Sequence, residues 1–357
     1  MTSQRTNLAS SLTLALAGLL LAACGSGTTA AGAGTTTTGA AATGPALTSG
    51  QQGTQAGSGA CGTSGVKVST ASELRSALAG AQPGGRILLA PGMYSSHFKV
   101  TVSGTPSAPI TLCGPRAAVI NGGGISSGYT FYLDGASWWR VEGFTVEGGQ
   151  KGVVTDRSSH DLIYGLYVHG IGDEAIHLRD FSSYDTVSHD VVRSTGLNRS
   201  FFGEGIYVGS ANHNWCRYSG CQPDASNHDV IIGNNVADTT AENADIKEGT
   251  SFGTIIGNHF DGTGMDPASA TSWVNVKGNN WTVTGNTGIG SIQDGFSVHQ
   301  VYPGWGMGTV FKANVATVNG PGYGFYVQSS RLMTVVSCNN KVSGAQSGFS
   351  NHPCTPA

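Results

Sequence analysis

The sequence predicts an all-β fold, a right-handed parallel β-helix (solenoid), on three observations. A short apolar pair, a small residue and Asn return along the chain, with Asn-to-Asn spacings of 24, 28, 28 and 25. The copies are Ile231-Ile232-Gly233-Asn234, Ile255-Ile256-Gly257-Asn258, Val283-Thr284-Gly285-Asn286, Phe311-Lys312-Ala313-Asn314 and Val336-Ser337-Cys338-Asn339. Looser copies at Val141-Glu142-Gly143-Phe144 and Ile163-Tyr164-Gly165-Leu166 come first. A second segment, alternating apolar and polar, recurs with them: Ala175–Arg179, Gly205–Gly209, Trp273–Lys277, Gly295–His299 and Gly324–Gln328. Thirdly, Gly fills 55 of 357 positions while charged residues make up only 11%. That is a composition of tight turns and uncharged surface, not of a coiled coil or a disordered charged chain.

The elements follow in order. Arg5 and the apolar run Leu12–Leu21 form a signal segment too short to anchor as a membrane span. Leu21-Ala22-Ala23-Cys24 resembles a bacterial lipobox, which implies a lipoprotein signal peptide over 1–23 and lipidation of Cys24. Residues 24–60 are almost wholly Gly, Ala, Ser, Thr and Gln without charge, the composition of a flexible linker. One folded domain is expected over 61–357, on an exported, cell-surface or secreted protein. Six further cysteines fit an oxidising compartment. Proximity pairs Cys216 with Cys221 and Cys338 with Cys354, leaving Cys61 with Cys113, although six cysteines allow fifteen pairings. No zinc spacing is present.

Ser69–Ala79 carries apolar residues at helical spacing and is expected to cap the open end of the first coil. Beyond it, two or three short strands per repeat stack on their neighbours, the signature of a solenoid. Hairpins of a β-sandwich would give shorter spacing and no fixed Asn. The recurrent Asn suits a left-handed turn position that bonds to the Asn of the next coil.

From Val68 to Gly128 the chain holds the helix, then Pro83-Gly84-Gly85-Arg86-Ile87-Leu88-Leu89-Ala90-Pro91-Gly92-Met93-Tyr94, Gly104–Leu112 and Val119-Ile120-Asn121-Gly122. This resembles the opening of pectate lyase superfamily polysaccharide lyases, most of all the alginate lyase and chondroitinase B type. The resemblance extends over about residues 66 to 340 and implies a lyase acting on acidic polysaccharide.

Because strand side chains alternate, aligning the apolar pairs sorts the outward residues into columns. One column reads His177, Tyr207, Asp245, Asn275, Ser297, Tyr326, and the next reads Arg179, Gly209, Lys247, Lys277, His299, Gln328. Before each strand stand Glu174, Glu204, Glu242, Ser272 and Asp294. Equivalent positions of successive coils lie about 4.8 Å apart, so a basic row is expected beside an acidic one on an open face. Like charges stacked this way are destabilising unless something binds between them. An acidic polymer and a divalent cation would answer both rows.

Cleaving a polyuronide by β-elimination requires removing the proton at C5, next to the carboxylate. A cation on the carboxylate, a base and an acid for the departing oxygen are needed. Lys247, between Arg179 and Lys277, is expected to serve as base with its pKa lowered by those cations. Glu204, Glu242 and Asp245 offer the oxygens calcium prefers. The resemblance agrees: Glu242-Asn243-Ala244-Asp245-Ile246-Lys247 followed by Gly257-Asn258-His259-Phe260 is similar to the family motif in which a calcium-binding Glu precedes the base Lys by five positions. It implies Glu242 as a calcium ligand, Lys247 as base, and Glu204 at a further ligand position. Where the family carries an Arg acid before Gly-Asn, this chain has Lys277, which lacks the planar fork. Arg179 and His299 are the other acid candidates.

An insertion, His213–Cys221, separates the coils of Gly209 and Lys247. With Trp215, Arg217 and Tyr218 it either walls a saccharide groove or packs over the helix. His299, Tyr207, Trp215 and Arg217 are the candidate substrate contacts.

Net charge is −3, from 18 basic and 21 acidic residues, and gives no reason to expect nucleic acid. The chain is expected to be a monomer whose only membrane contact is its lipid. A hydrolase of the pectin type is excluded, since its paired aspartates near Gly-His-Gly and its Arg-x-Lys are absent. Two other readings remain open: a uronate C5-epimerase, which shares the proton abstraction, and a non-catalytic glycan-binding adhesin, which needs the basic row but not the clustered carboxylates.

Overall fold

The computed structural model describes residues 61–356; the expected signal peptide, Cys24 and the expected linker to residue 60 lie outside the described residues. Successive coils each supply one strand to each of three parallel sheets, of eleven, ten and ten strands. The first sheet starts at Val66–Val68, the second at Gly92–Ser95 and the third at Phe98–Val100. Every strand pairs with its counterpart one coil away, so the chain is the parallel solenoid its repeats predict.

Apolar columns fill the interior. On the third sheet, Val153, Ile176, Ile206, Ala244, Val274, Phe296 and Phe325 are in register and fully buried. Each large member contributes on the order of 1.5–3 kcal/mol by leaving water. The predicted helix is Ala71–Ala79. Thr70 Oγ1 accepts from the Glu73 N–H at 3.2 Å, and the Glu73 carboxylate accepts from the Thr70 N–H at 3.2 Å, a capping box. Leu74 and Leu78 are buried with Val68 in the first coil, closing that end. Disulfides join Cys61–Cys113, Cys216–Cys221 and Cys338–Cys354, the pairing that proximity suggested.

The Asn repeat builds a ladder, with two corrections to the expected turn. Asn234, Asn258, Asn286 and Asn314 each donate a backbone N–H to the side-chain oxygen of the next rung, at 2.8, 2.9, 3.0 and 2.9 Å. The last acceptor is Asn340, not Asn339, because the final coil carries one more residue before its rung. The left-handed residue is also not the Asn but the one before it: Gly233, Gly257, Gly285 and Ala313, with φ of 66°, 64°, 64° and 53°. That leaves the Asn free to face inward, where its amide satisfies buried backbone.

A second ladder was not legible from the repeat. Trp139 donates its N–H to Asp161 Oδ1, Asp161 to Asp185 Oδ1 and Asp185 to Asp229 Oδ1, at 2.7, 2.9 and 2.9 Å. The residues preceding these rungs, Trp138, His160, Tyr184 and His228, are all left-handed. Their rings stack, with centroids 4.1, 5.0 and 4.7 Å apart.

Candidate active site

The register read from the sequence holds on the third sheet. His177, Tyr207, Asp245, Asn275, Ser297 and Tyr326 are successive partners across the strands. The next column continues the ladder: Lys247 donates its N–H to the Val208 carbonyl at 2.8 Å and Lys277 to that of Ile246 at 2.7 Å. His299 does the same to Val276 at 2.9 Å. The Glu column is aligned as well, with Ala175 donating to the Glu204 carbonyl and Gly205 to that of Glu242.

Pointing away from the apolar interior does not leave these groups in water. Arg179 and Asp245 are 2% exposed, Glu204 5% and Lys277 7%, so the open face expected from the sequence is corrected. The rows bury each other by cross-pairing. Lys277 bonds to Asp245 and lies 4.0 Å from Glu242; Lys247 reaches Asp245 at 3.3 Å. One coil back in the Glu column stands Lys151, which the repeat analysis missed and which bonds to Glu174. Likewise Asp156 heads the basic column, opposite Arg179. Extending both columns by one coil would have found these two partners. Opposite charges thus meet both along the helix axis, as Lys151 with Glu174 and Asp156 with Arg179, and across the columns, as Lys277 with Asp245.

Arg179 is locked. Asp156 takes two of its bonds, at 2.6 and 3.0 Å, and the Tyr129 hydroxyl a third at 3.0 Å. Its guanidinium lies 4.0 Å from the Tyr218 ring centre and 5.3 Å from that of Tyr129. Burial works against the charge, but Asp156 outweighs it and holds the proton far above the ordinary range.

Electrostatics around Lys247 reverse one expectation. Burial alone would lower its pKa, yet the Asp245, Tyr207, Glu248 and Glu204 environment raises it well above the usual lysine value. The carboxylates nearby outweigh the cations that were expected to depress it. Asp245 is held below its ordinary value, since Lys247 and Lys277 overcome its burial. Burial and the neighbouring Glu174, Asp245 and Glu242 push Glu204 well upward. Tyr207 is likewise raised by burial and stays protonated. His177 is fixed as the neutral ring by burial and Lys151. His299, hydrogen-bonded to Asn275 at 2.8 Å, is lowered by burial and Lys277 to about 4.

Glu204, Glu242 and Asp245 bring one oxygen each to within 4.8 Å of one another. Glu204 Oε2 is buried without a hydrogen-bond partner. An all-oxygen donor set with a spare carboxylate oxygen fits a hard divalent cation.

Beside Tyr207 a cavity of about 340 Å³ opens toward lower-numbered coils, lined by Lys151, His177, Arg179, Tyr207, Arg217 and Tyr218 among others. Lys247 and the acidic trio lie outside its lining, with the Lys247 ammonium 5.4 Å from the Tyr207 ring centre. The inserted loop forms one wall. Tyr218 rests on Arg179, and Arg217 reaches the lining. Trp215 does not: it is 6% exposed, donates Nε1–H to the Ser210 carbonyl at 3.0 Å and packs against Tyr302. It anchors the loop rather than facing a sugar. Arg199 and Phe202 supply another part of the lining from a loop that carries no repeat signal.

No protein-family model matches the sequence, and no curated protein matches it. Among solved structures the chain is similar to an alginate lyase from Paenibacillus sp. str. FPU-7, at 33% identity over 81% of this chain and 99% of that one, with a TM-score of 0.76. It is also similar to pectate lyase Pel9A, at 15% identity over 78% and 75% of the two chains and a TM-score of 0.53. A third likeness is to the periplasmic alginate epimerase AlgG, at 13% identity over 73% and 60%, with a TM-score of 0.53. The last two share the fold alone.

Proposed function

From the premise that the chain belongs to the parallel β-helix polysaccharide lyases of the pectate lyase superfamily, we propose that it cleaves a uronate-containing polysaccharide outside the cell by β-elimination, with Lys247 as base and Tyr207 as acid. One observation supports the assignment above all others. Tyr207 lines a cation-lined cavity, Lys247 lies just outside that lining with its ammonium 5.4 Å from the Tyr207 ring centre, and the acidic trio sits on the same two coils.

Lys247 acts from its neutral form, after giving up the proton that the surrounding carboxylates hold. It takes the C5 proton of the bound sugar, the C5–H electrons form the C4–C5 double bond, and the bond to the 4-oxygen breaks. Tyr207, protonated and lining the cavity, gives its proton to that departing oxygen. Of the other acid candidates, Arg179 and Lys277 are already bound to Asp156 and to Asp245, and His299, lowered by burial and Lys277, carries no acidic proton to give near neutral pH. An arginine whose proton is held so tightly binds and orients but does not donate it. His177 donates Nε2–H to the Gly209 carbonyl at 3.0 Å and packs edge-on against Tyr207 with centroids 4.4 Å apart, which fixes the phenol.

Glu204, Glu242 and Asp245 would hold calcium, which when bound neutralises the sugar carboxylate and offsets the negative field on Lys247. Lys277 keeps Asp245 oriented toward that position. Export through the signal peptide and lipidation at Cys24 complete the reading, and the three disulfides suit an oxidising compartment.

The test is ultraviolet detection of unsaturated product from purified residues 61–357 with several polyuronides, alginate first. Product from at least one polymer, lost in Lys247→Ala, supports the reading. Binding without unsaturated product overturns it in favour of an adhesin. Altered uronate stereochemistry without chain breaks overturns it in favour of an epimerase.

A further inference from the structure

Arg199 and Arg217 sit on different loops of the same cavity, yet their charges are in different states. Three cations of the lining are already matched: Lys151 by Glu174, Arg179 by Asp156 and Arg199 by Asp173. Arg217 has no carboxylate partner among the described residues, and its guanidinium lies 5.0 Å from the Tyr218 ring centre. It is therefore the arginine of this cavity whose charge is free for a ligand.

The turn that carries it is held from several directions. The Asn212 N–H donates to Glu248 Oε1 at 2.6 Å, and Trp215 is pinned to the Ser210 carbonyl at 3.0 Å. Tyr218 is clamped on the immobile Arg179, and Cys216–Cys221 closes the turn. A guanidinium presented on so restrained a segment loses little further freedom on binding. Its planar fork matches a carboxylate in two parallel bonds.

The cavity runs from Tyr207 back to Tyr129, three coils of about 4.8 Å each. That length reaches beyond the sugar whose proton is removed. Tyr129, Phe202 and Tyr218 supply ring surface along the way. We infer that Arg217 is a specificity-determining residue that reads the carboxylate of the neighbouring sugar. The enzyme then selects chains with uronates at successive positions over chains that alternate uronate with uncharged sugar. This inference rests on the proposed lyase site and adds a second carboxylate contact to it.

The experiment compares wild type, Arg217→Ala and Arg217→Lys on a polyuronate and on the same polymer with part of its carboxylates reduced to alcohols. On the intact polymer Arg217→Ala is expected to raise KM about 10- to 100-fold, the loss of one charge-assisted contact, with the effect falling on KM rather than kcat. Arg217→Lys should recover part of it, and the gap from wild type should shrink on the reduced polymer. Wild-type KM in Arg217→Ala, or a loss confined to kcat, overturns the inference. Calorimetric binding of the polyuronate in a Lys247→Ala background separates the two readings. If no variant makes unsaturated product but Arg217→Ala still binds 10- to 100-fold more weakly, the lyase chemistry fails and the carboxylate contact stands. Equal binding removes the contact.

Discussion

The Lys247 ammonium lies 5.4 Å from the centre of the Tyr207 ring and shares the buried Asp245 carboxylate with Lys277. Tyr207 and Asp245 are direct partners across neighbouring strands, so the sheet register itself brings the two reactive groups together.

Lys247→Ala and Tyr207→Phe should each lower kcat by about 10²- to 10⁴-fold, the usual contribution of a positioned proton-transfer group. Both should keep the circular dichroism of the wild type. Loss of activity with loss of fold in both would remove the assignment.

Calcium should raise the thermal midpoint of the wild type, since a ligand bound only by the folded state stabilises it by about 2.7 kcal/mol at a hundredfold excess over Kd. Glu204→Gln, which replaces the unpartnered oxygen, should lose that response. A midpoint indifferent to calcium and to chelator, with activity unchanged, rules the metal out.

The Asp161–Asp185–Asp229 ladder should make the fold more stable in mild acid. Burial pushes all three carboxyls well above the ordinary 3.8, reinforced by Asp185 beside Asp161 and by Asp185 and Asp224 beside Asp229. Their folded-state pKa values exceed the unfolded ones, so the contribution is complete below pH ~4 and is lost as pH rises through the folded values. From Asn234 onward Asn fills the matching places of the other ladder and needs no proton there. Asp229→Asn should therefore flatten the fall of the thermal midpoint between acid and neutral pH. An unchanged pH profile would show that Asp229 is not held protonated by the fold.

Arg179→Met should destabilise the protein by about 3–5 kcal/mol, because it strands the buried Asp156 carboxylate. It should also release Tyr218, so the inserted loop should exchange its amide hydrogens faster than in wild type. Adding Asp156→Leu should restore much of the stability but not the loop protection. Stability within 1 kcal/mol of wild type for Arg179→Met alone would contradict the locked pair.

The sequence by itself determined the solenoid and the side of each strand. Its coil-length repeat and strict alternation are local properties, and one residue of slip would turn every side chain to the other face. That is why Lys247, Lys277, Glu204 and Glu242 were placed on one sheet correctly. The tertiary structure alone decided what those groups do there. Whether Lys247 gains or loses affinity for its proton depends on Asp245, Tyr207, Glu248 and Glu204, which the fold gathers from up to 44 residues apart in the chain. The lock on Arg179 likewise joins Tyr129, Asp156 and Tyr218. Trp215 turned inward rather than to the groove because the Ser210 carbonyl and Tyr302 hold it there. Periodicity encodes direction along the chain; charge state and burial arise from distances between segments, which no local pattern carries.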